Sequence, residues 1–258
     1  MGQYKGAYEC FDAARISPYP IAERPNKVTL DNLVRLDGLT VPGGVMDDAA
    51  LVAVAEAIAD ARAKSNPVIL FIGAHPVKLG LSPIVLDLME RGALTHVAGT
   101  GATAIHDFEL ALIGETSENV PDALPHGRFG MARETGHYMN AAIVAGFQRG
   151  LGLGESLGRL ILGEPMPERL ECRHPEVSIF AAGVRLGIPV TVHVGIGTDI
   201  IDQHPGFDGA AKGGTSGFDF GVYVASVAKL ADGGVVLNVG SAVTGPELLL
   251  KAVSMAAN

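Results

Sequence analysis

From residue 47 onward, short apolar runs alternate with longer segments whose apolar residues recur every three to four positions. Asp47 to Lys64 reads as an alanine-rich amphipathic helix, with Asp47 and Asp48 in the first turn where the helix dipole favours acids. Asn66-Pro67 ends it, and Val68 to Ile72 is an apolar run of strand length that leads into Gly73-Ala74-His75. Ser82 to Arg91 is predicted helical with Gly92 as its stop. Leu94 to Ala98 is a second strand, ending in Gly99-Thr100-Gly101, and a helix follows over Ala102 to Ile113. The segment after Glu115 reads as helical or irregular.

Met131 to Leu162 is predicted helical with interruptions at Gly150, Gly152 and Gly154. Val177 to Leu186 is a further helix closed by Gly187, and Pro189 to Val194 a third strand that runs into Gly195-Ile196-Gly197-Thr198-Asp199. The stretch Gly195 to Gly217 reads as a long loop and a candidate lid. Ser216 to Leu230 is a helix, Val235 to Val239 the fourth strand, and Pro246 to Met255 the last helix. Strands separated by helices require crossover connections. The expected fold class is therefore α/β, a Rossmann-like, doubly wound and mostly parallel sheet with helices on both faces. Such sheets carry five or six strands, so a further C-terminal piece is expected beyond this chain.

Before residue 46 the periodicity is lost. Pro18, Pro20 and Pro25 prevent a continuous helix, and Lys27 to Leu39 is weakly periodic up to Pro42-Gly43-Gly44. Residues 1–45 are expected to form an arm, anchored by Tyr4, Tyr8, Phe11 and Tyr19 on the domain or on a neighbouring subunit. Residues 46–258 are expected to form the Rossmann-like domain.

Composition narrows the choice of function. Hydrophobic residues make up 48% and charged residues 18%, which suits strands buried on both faces. The net charge of −9, with no lysine- or arginine-rich run, argues against nucleic acid and anionic membranes as partners. The stretch Met1-Gly2-Gln3-Tyr4 lacks the apolar core of a secretion signal. Cys10 and Cys172 lie far apart without metal spacing, as expected for unpaired thiols in a reducing cytoplasm.

In open α/β sheets ligands bind beyond the carboxyl ends of the strands. Here those ends are Gly73-Ala74-His75, Gly99-Thr100-Gly101, Gly195 to Asp199, and Gly240-Ser241. Glycine lets backbone approach a ligand, although it also serves ordinary turns. Gly99-Thr100-Gly101-Ala102-Thr103-Ala104 fits G-x-G-x-x-[G/A] between a strand and a helix, the context in which the helix N-terminus meets a pyrophosphate. Asp199 is placed either to accept from ribose hydroxyls or to cap a turn. His106 and Glu109 share a helix face as a candidate proton-transfer pair, and His75 is a second candidate proton donor. His193, inside an apolar strand, reads as a hydrogen-bonded core residue. Lys78 and Lys212 are loop lysines, read as solvated, with phosphate binding or imine formation as the alternative.

The stretches Pro67 to Gly80, Val97 to Glu118, Gly187 to Asp199 and Gly233 to Val243 resemble, in the same order, the NAD-binding fold of deoxyhypusine synthase. Ala104-Ile105-His106-Asp107-Phe108-Glu109 also resembles the NAD-binding domain of archaeal-type ornithine cyclodeaminases. The resemblance implies NAD at the strand ends and a homo-oligomer, tetramer or dimer. It implies dinucleotide contacts at Thr100, Gly101, Asp199 and Gly240, to which position alone adds Gly73, Gly99 and Ser241. The family's last strand end runs through three glycines into Lys-His-His, whereas here it reads Gly240-Ser241-Ala242-Val243-Thr244. Its imine-forming lysine lies beyond the end of this chain.

Two functions are therefore expected. One is an NAD-dependent enzyme acting on a small amine or amino acid by hydride transfer and imine chemistry. The other is a non-catalytic nucleotide-binding or assembly protein that keeps the fold.

Overall fold

The structure is a computed structural model that describes residues 4–40 and 43–258. Its centre is a parallel sheet of four strands, β2 (Val68–Ile72), β3 (His96–Thr100), β5 (Val190–His193) and β6 (Val235–Val239), in the spatial order β5-β3-β2-β6. The register pairs Ile72 with Gly99 and with Val239, and Thr100 with His193, so the four carboxyl ends are level. Around it lie α1 (Ala49–Ala63), α2 (Ala74–Lys78), α3 (Ser82–Glu90), α4 (Gly101–Ile113), α6 (Arg133–Arg149), α7 (Leu153–Ile161), α8 (Ile179–Leu186), α9 (Gly209–Val227) and α10 (Thr244–Ala257). A separate antiparallel pair joins β1 (Asn26–Thr29) to β4 (Glu115–Glu118), and a short α5 (Val120–Ala123) follows it.

The strand pleat explains why β2 is apolar throughout. Val68, Leu70 and Ile72 point into a large core shared with α3, α4, α6, α7 and α8. Ile69 and Phe71 point the other way, into a smaller core closed by Tyr223 and Val227 of α9 and Ala252 of α10. Both faces are covered, as expected of a doubly wound sheet. Successive strands β2, β3 and β5 step in one direction, and the chain then returns to lay β6 on the far side of β2.

Three expectations are corrected. The segment after Glu115 is a strand, β4, too short for its period to show, with buried Ser117 at a positive φ of 69°. The long loop after β5 is a 3-10 turn (Ile200–Gln203) followed by the early start of α9, whose first amides at Ala210 and Ala211 are capped by Asp208. Gly214 marks close packing: a Cβ there would sit 2.2 Å from the ring of Phe147 on α6. Tyr4, Tyr8 and Phe11 are 52, 84 and 69% exposed, so they do not anchor the arm on its own domain. The first segment docks instead through Ile21, Arg24 and Val28, which are buried, and through backbone bonds between Tyr19 and both Met131 and Arg133. Pro42 and the N-terminal Met1-Gly2-Gln3 lie outside the described residues.

Smaller shifts concern the sites. Gly99 and Thr100 belong to β3 itself and Gly101 opens α4. Asp47 and Asp48 precede α1 rather than lie in its first turn, and Asp48 is its N-cap; the helix's only buried residue is Ala61.

Candidate functional site

The strand order places the reversal of chain direction between β2 and β6, because the connections leaving these neighbours cover opposite faces. A crevice at such a switch point is where open α/β sheets bind ligands. Its rim is Gly73, His75, Gly240 and Ser241, so two of the four predicted strand ends meet here. Gly240 has φ +74°, which favours glycine. The carbonyl of Gly240 fills the space a Cβ on Gly73 would take, 1.9 Å away, so Gly73 is needed for this backbone approach whatever binds. Ser241 is buried and turned inward, where its Oγ accepts from the Gly245 amide at 3.0 Å. His75 is exposed on α2.

At the next strand end, Thr100 and Thr103 close a reciprocal capping box on α4. That box does not use the first two helical amides, Gly101 and Ala102. Against Gly101 stands the carboxylate of Asp199, at 2.0 Å from the position of a Cβ. Asp199 caps the 3-10 turn, and its Oδ2 accepts from Lys212 Nζ at 2.8 Å, while Asp202 Oδ1 takes the same ammonium at 2.5 Å. The three side chains are 8% exposed or less. Lys212 is therefore a buried ion-pair partner on α9, which corrects its reading as a solvated loop lysine. Burial raises the pKa of Asp199, the Lys212 charge opposes this, and the Asp202 charge adds to the rise. Two carboxylates sharing one ammonium leave this turn with a net negative charge.

The third cluster lies on α4. Glu109 is buried and takes a bidentate pair from Arg24 (2.9 and 2.7 Å), with Thr135 Oγ1 donating at 2.8 Å and Thr116 Oγ1 at 2.6 Å. Its carboxylate is saturated. Burial alone would raise its pKa, but Arg24 and these bonds outweigh it and hold the group below the usual value. Glu109 thus holds its neighbours in place, which corrects its expected part in proton transfer. His106 Nδ1 lies 2.8 Å from Thr116 Oγ1. Thr116 has one proton and gives it to Glu109, so Nδ1 of His106 must donate and Nε2 is left as the acceptor. Burial depresses the pKa of His106 to about 4; Glu109 opposes the drop, and the charges of Lys78 and His75 on facing α2 add to it. The result is a neutral imidazole, partly exposed, about 7.5 Å along α4 from the strand end at 1.5 Å per residue.

Sequence reading missed Arg24, Thr116 and Thr135. An arginine in a proline-broken segment carries no periodic signal, and its partner lies 85 residues away. It also missed Asp219, which is buried on α9 and accepts from Gly154 at 3.0 Å and Val192 at 2.7 Å. Burial raises its pKa to about 7. A charged residue between Phe218 and Phe220 in an apolar helix was the available clue. Asp219 borders a cavity of about 310 Å³ beside β5, lined also by Gly152, Gly154, Arg159 and Val190, away from the strand carboxyl ends. His193 is a buried core residue as expected, bonded through Thr191 to His96. Among the described residues, no three His, Cys, Asp or Glu side chains are grouped to hold a metal ion. No described helix is long and apolar enough to cross a membrane.

No protein-family model and no curated protein matches the chain. Among solved structures it is similar to apo ArgZ, an arginine dihydrolase from the ornithine–ammonia cycle in cyanobacteria, at 14% identity and TM-score 0.44 over 77% of this chain and 24% of that one. It is similar to AgrE in binary complex with L-arginine at 13% identity and TM-score 0.46, over 84% and 27% of the two chains. A conserved LOR/SDH protein from Methanococcus maripaludis S2 aligns at 16% identity and TM-score 0.39, over 84% and 71%. The chain spans about a quarter of the length of the first two. None of the three is a deoxyhypusine synthase.

Proposed function

We propose that the carboxyl ends of β2, β3, β5 and β6 hold a dinucleotide, NAD, and that the chain is an enzyme of the deoxyhypusine synthase-like group acting on a small amine or amino acid. The observation that carries this reading is the level edge, where a topological switch point and an uncapped pair of helix amides lie together with a neutral histidine nearby. The residues fit the nucleotide in a particular way. A phosphate at Gly101 would meet the negative Asp199 and Asp202 pair, which Lys212 only half neutralises. Ribose hydroxyls, which donate, suit Asp199 better. The amides of Gly101 and Ala102 and the backbone of Gly73, Gly99, Thr100 and Gly240 complete the cradle, with Ser241 bracing its last turn.

When bound, NAD supplies a hydride acceptor. The chain's own part is to take and return protons. His106, neutral with Nε2 unprotonated, is the base of this reading, and Thr116 with Glu109 orients its ring. His75 at the crevice rim is the second proton carrier. Lys212 is held by two carboxylates and Lys78 faces His106, so neither is assigned an imine. That arrangement also favours the second reading, a nucleotide-binding protein without catalysis.

The test is a thermal melt with and without NAD. At about 100 times the dissociation constant, binding adds roughly 2.7 kcal/mol, on the order of 5–10 °C for a domain this size. Asp199→Ala should remove most of that shift. No shift at millimolar NAD contradicts the cofactor assignment. NADH formation with small amines or amino acids, lost in His106→Gln, separates the enzyme from the non-catalytic reading.

A further inference from the structure

Helix α9 is built inside out. Its two charged residues, Lys212 and Asp219, are buried, as are Thr215 and Tyr223. Ser216 turns to β5, where its Oγ donates to the Val192 carbonyl at 2.8 Å, and Ser226 Oγ lies 2.8 Å from Nδ1 of His96 on β3. The polar side chains of the helix are thus directed inward. Its exposed residues are Ala210, Gly213, Gly217, Phe218, Gly221, Val222 and Ala225, with no polar side chain among them. A helix on the face of a sheet ordinarily turns its polar residues to water, and one that is apolar all round is buried. An uncharged outer face along a helix of 19 residues, on a chain of net charge −9, therefore marks a surface built to be covered.

The relief of this face is specific. Residues four apart form rows along a helix. Gly213, Gly217, Gly221 and Ala225 make one row, and a Cβ on any of the three glycines would meet no described atom within 4 Å. The neighbouring row on one side carries Phe218 and Val222. The row on the other side carries Phe220 and Val224, which pack toward α10. The result is a groove with a glycine floor beside an apolar ridge. The ridge is held in place, because the Phe147 ring of α6 lies over Gly214 and stacks on Phe218 with centroids 6.4 Å apart. Phe147 and Val222 are each 42% exposed and Phe218 is 43% exposed.

We propose that this face of α9 is the contact surface with a second copy of the chain, related by a two-fold axis. Groove and ridge share one pitch and lie side by side on the same helix. In a two-fold pair each copy's ridge enters the other's groove, and neither is left open. Any other occupant would have to bring an uncharged ridge of helical pitch, which the chain itself supplies. The neutral face also lets two acidic chains meet without opposing charges at the contact. At 1.5 Å per residue the helix is about 28 Å long, and a face about 10–12 Å wide gives roughly 300 Å² per copy. Two such faces with their Phe147 rings fall short of the roughly 1,200 Å² of stable complexes, so the dimer is a reversible one, of about micromolar affinity or weaker. Nothing bound at the strand ends is required, so this contact stands or falls separately from the nucleotide reading.

The experiment is sedimentation equilibrium of the chain, without NAD, from about 5 µM to about 1 mM. The expected result is a reversible rise in mass from 26.7 kDa that stops at twice that value. Gly217→Glu puts a charge on the groove floor and should weaken association at least about 10-fold. Gly221→Leu fills the groove while adding apolar surface, and should also weaken association at least about 10-fold. Both positions are open and lie within the helix, and both replacements are better helix formers than glycine. The variants should therefore fold as the parent does, which circular dichroism checks. The proposal is overturned by a monomer at every concentration, by growth beyond the dimer, or by association unchanged in Gly217→Glu. Tighter association in Gly221→Leu, the mark of unspecific apolar contact, overturns it as well.

Discussion

Arg24 and Glu109 form a buried, bidentate ion pair whose carboxylate also takes two threonine hydroxyls, so each partner is satisfied only while the other is present. Removing one member of such a pair strands a charge away from water. Arg24→Met or Glu109→Met should each cost about 3–5 kcal/mol in urea unfolding, and the double variant should cost less than the sum of the two. Additive losses would mean that the pair is not coupled as drawn. His96 and His193 form another buried polar set, joined through Thr191. Burial lowers His96 to about 4 and His193 to about 3, with the His96 charge adding to the second shift. Both are neutral when folded and take up protons near pH 6.5 when unfolded, so unfolding binds protons between those values. Stability from each site is complete above about pH 6.5 and falls as the pH drops toward 4, by roughly 2 kcal/mol between pH 7 and pH 5. Asp107 and Asp219, raised to about 7 by burial, act in the opposite direction over the same window. The comparison that isolates the histidine is His193→Gln against the parent chain. The variant should gain about 2 kcal/mol relative to the parent from pH 7 to pH 5, and a gap that stays constant would contradict the assignment.

Elements with a long, uninterrupted pattern were legible in the sequence, and those set by partners far along the chain were not. β2 reads as a strand because five consecutive apolar residues serve two cores at once. α4 reads as a helix because Ile105, Phe108 and Leu112 recur on its buried side. β4 was illegible for a physical reason. It is four residues long, it pairs with a strand 89 residues earlier, and its Ser117 breaks the regular backbone. The start of α9 was hidden by Gly209, Gly213 and Gly214, which usually mark loops, although here Gly214 lets Phe147 of α6 come close. The same ambiguity touches the candidate site. Glycines at the strand ends nominated the candidate site, yet Gly73 and Gly101 are pressed by Gly240 and Asp199, so part of their presence is explained by packing alone. His106 and His75 could be nominated from sequence, whereas the Thr116 and Glu109 support that makes His106 Nε2 an acceptor required the fold.

At the scale of the whole molecule, the order β5-β3-β2-β6 brings the glycine-rich strand ends to one edge of the sheet. It makes the β2–β6 crevice the switch point and puts the β3–α4 turn beside it, with Asp199 and Lys212 between that turn and α9. The cavity of about 310 Å³ beside β5 lies outside this arrangement and belongs to the Asp219 cap. These two places give the decisive comparison. In an amide-resolved NAD titration of the full chain, saturable shifts are expected at Gly73, Thr100, Gly101 and Gly240, and should be weakened by Asp199→Ala. An absence of saturable shifts at millimolar NAD, or shifts confined to Gly152, Gly154 and Gly183 around the other cavity, would contradict the strand-end site.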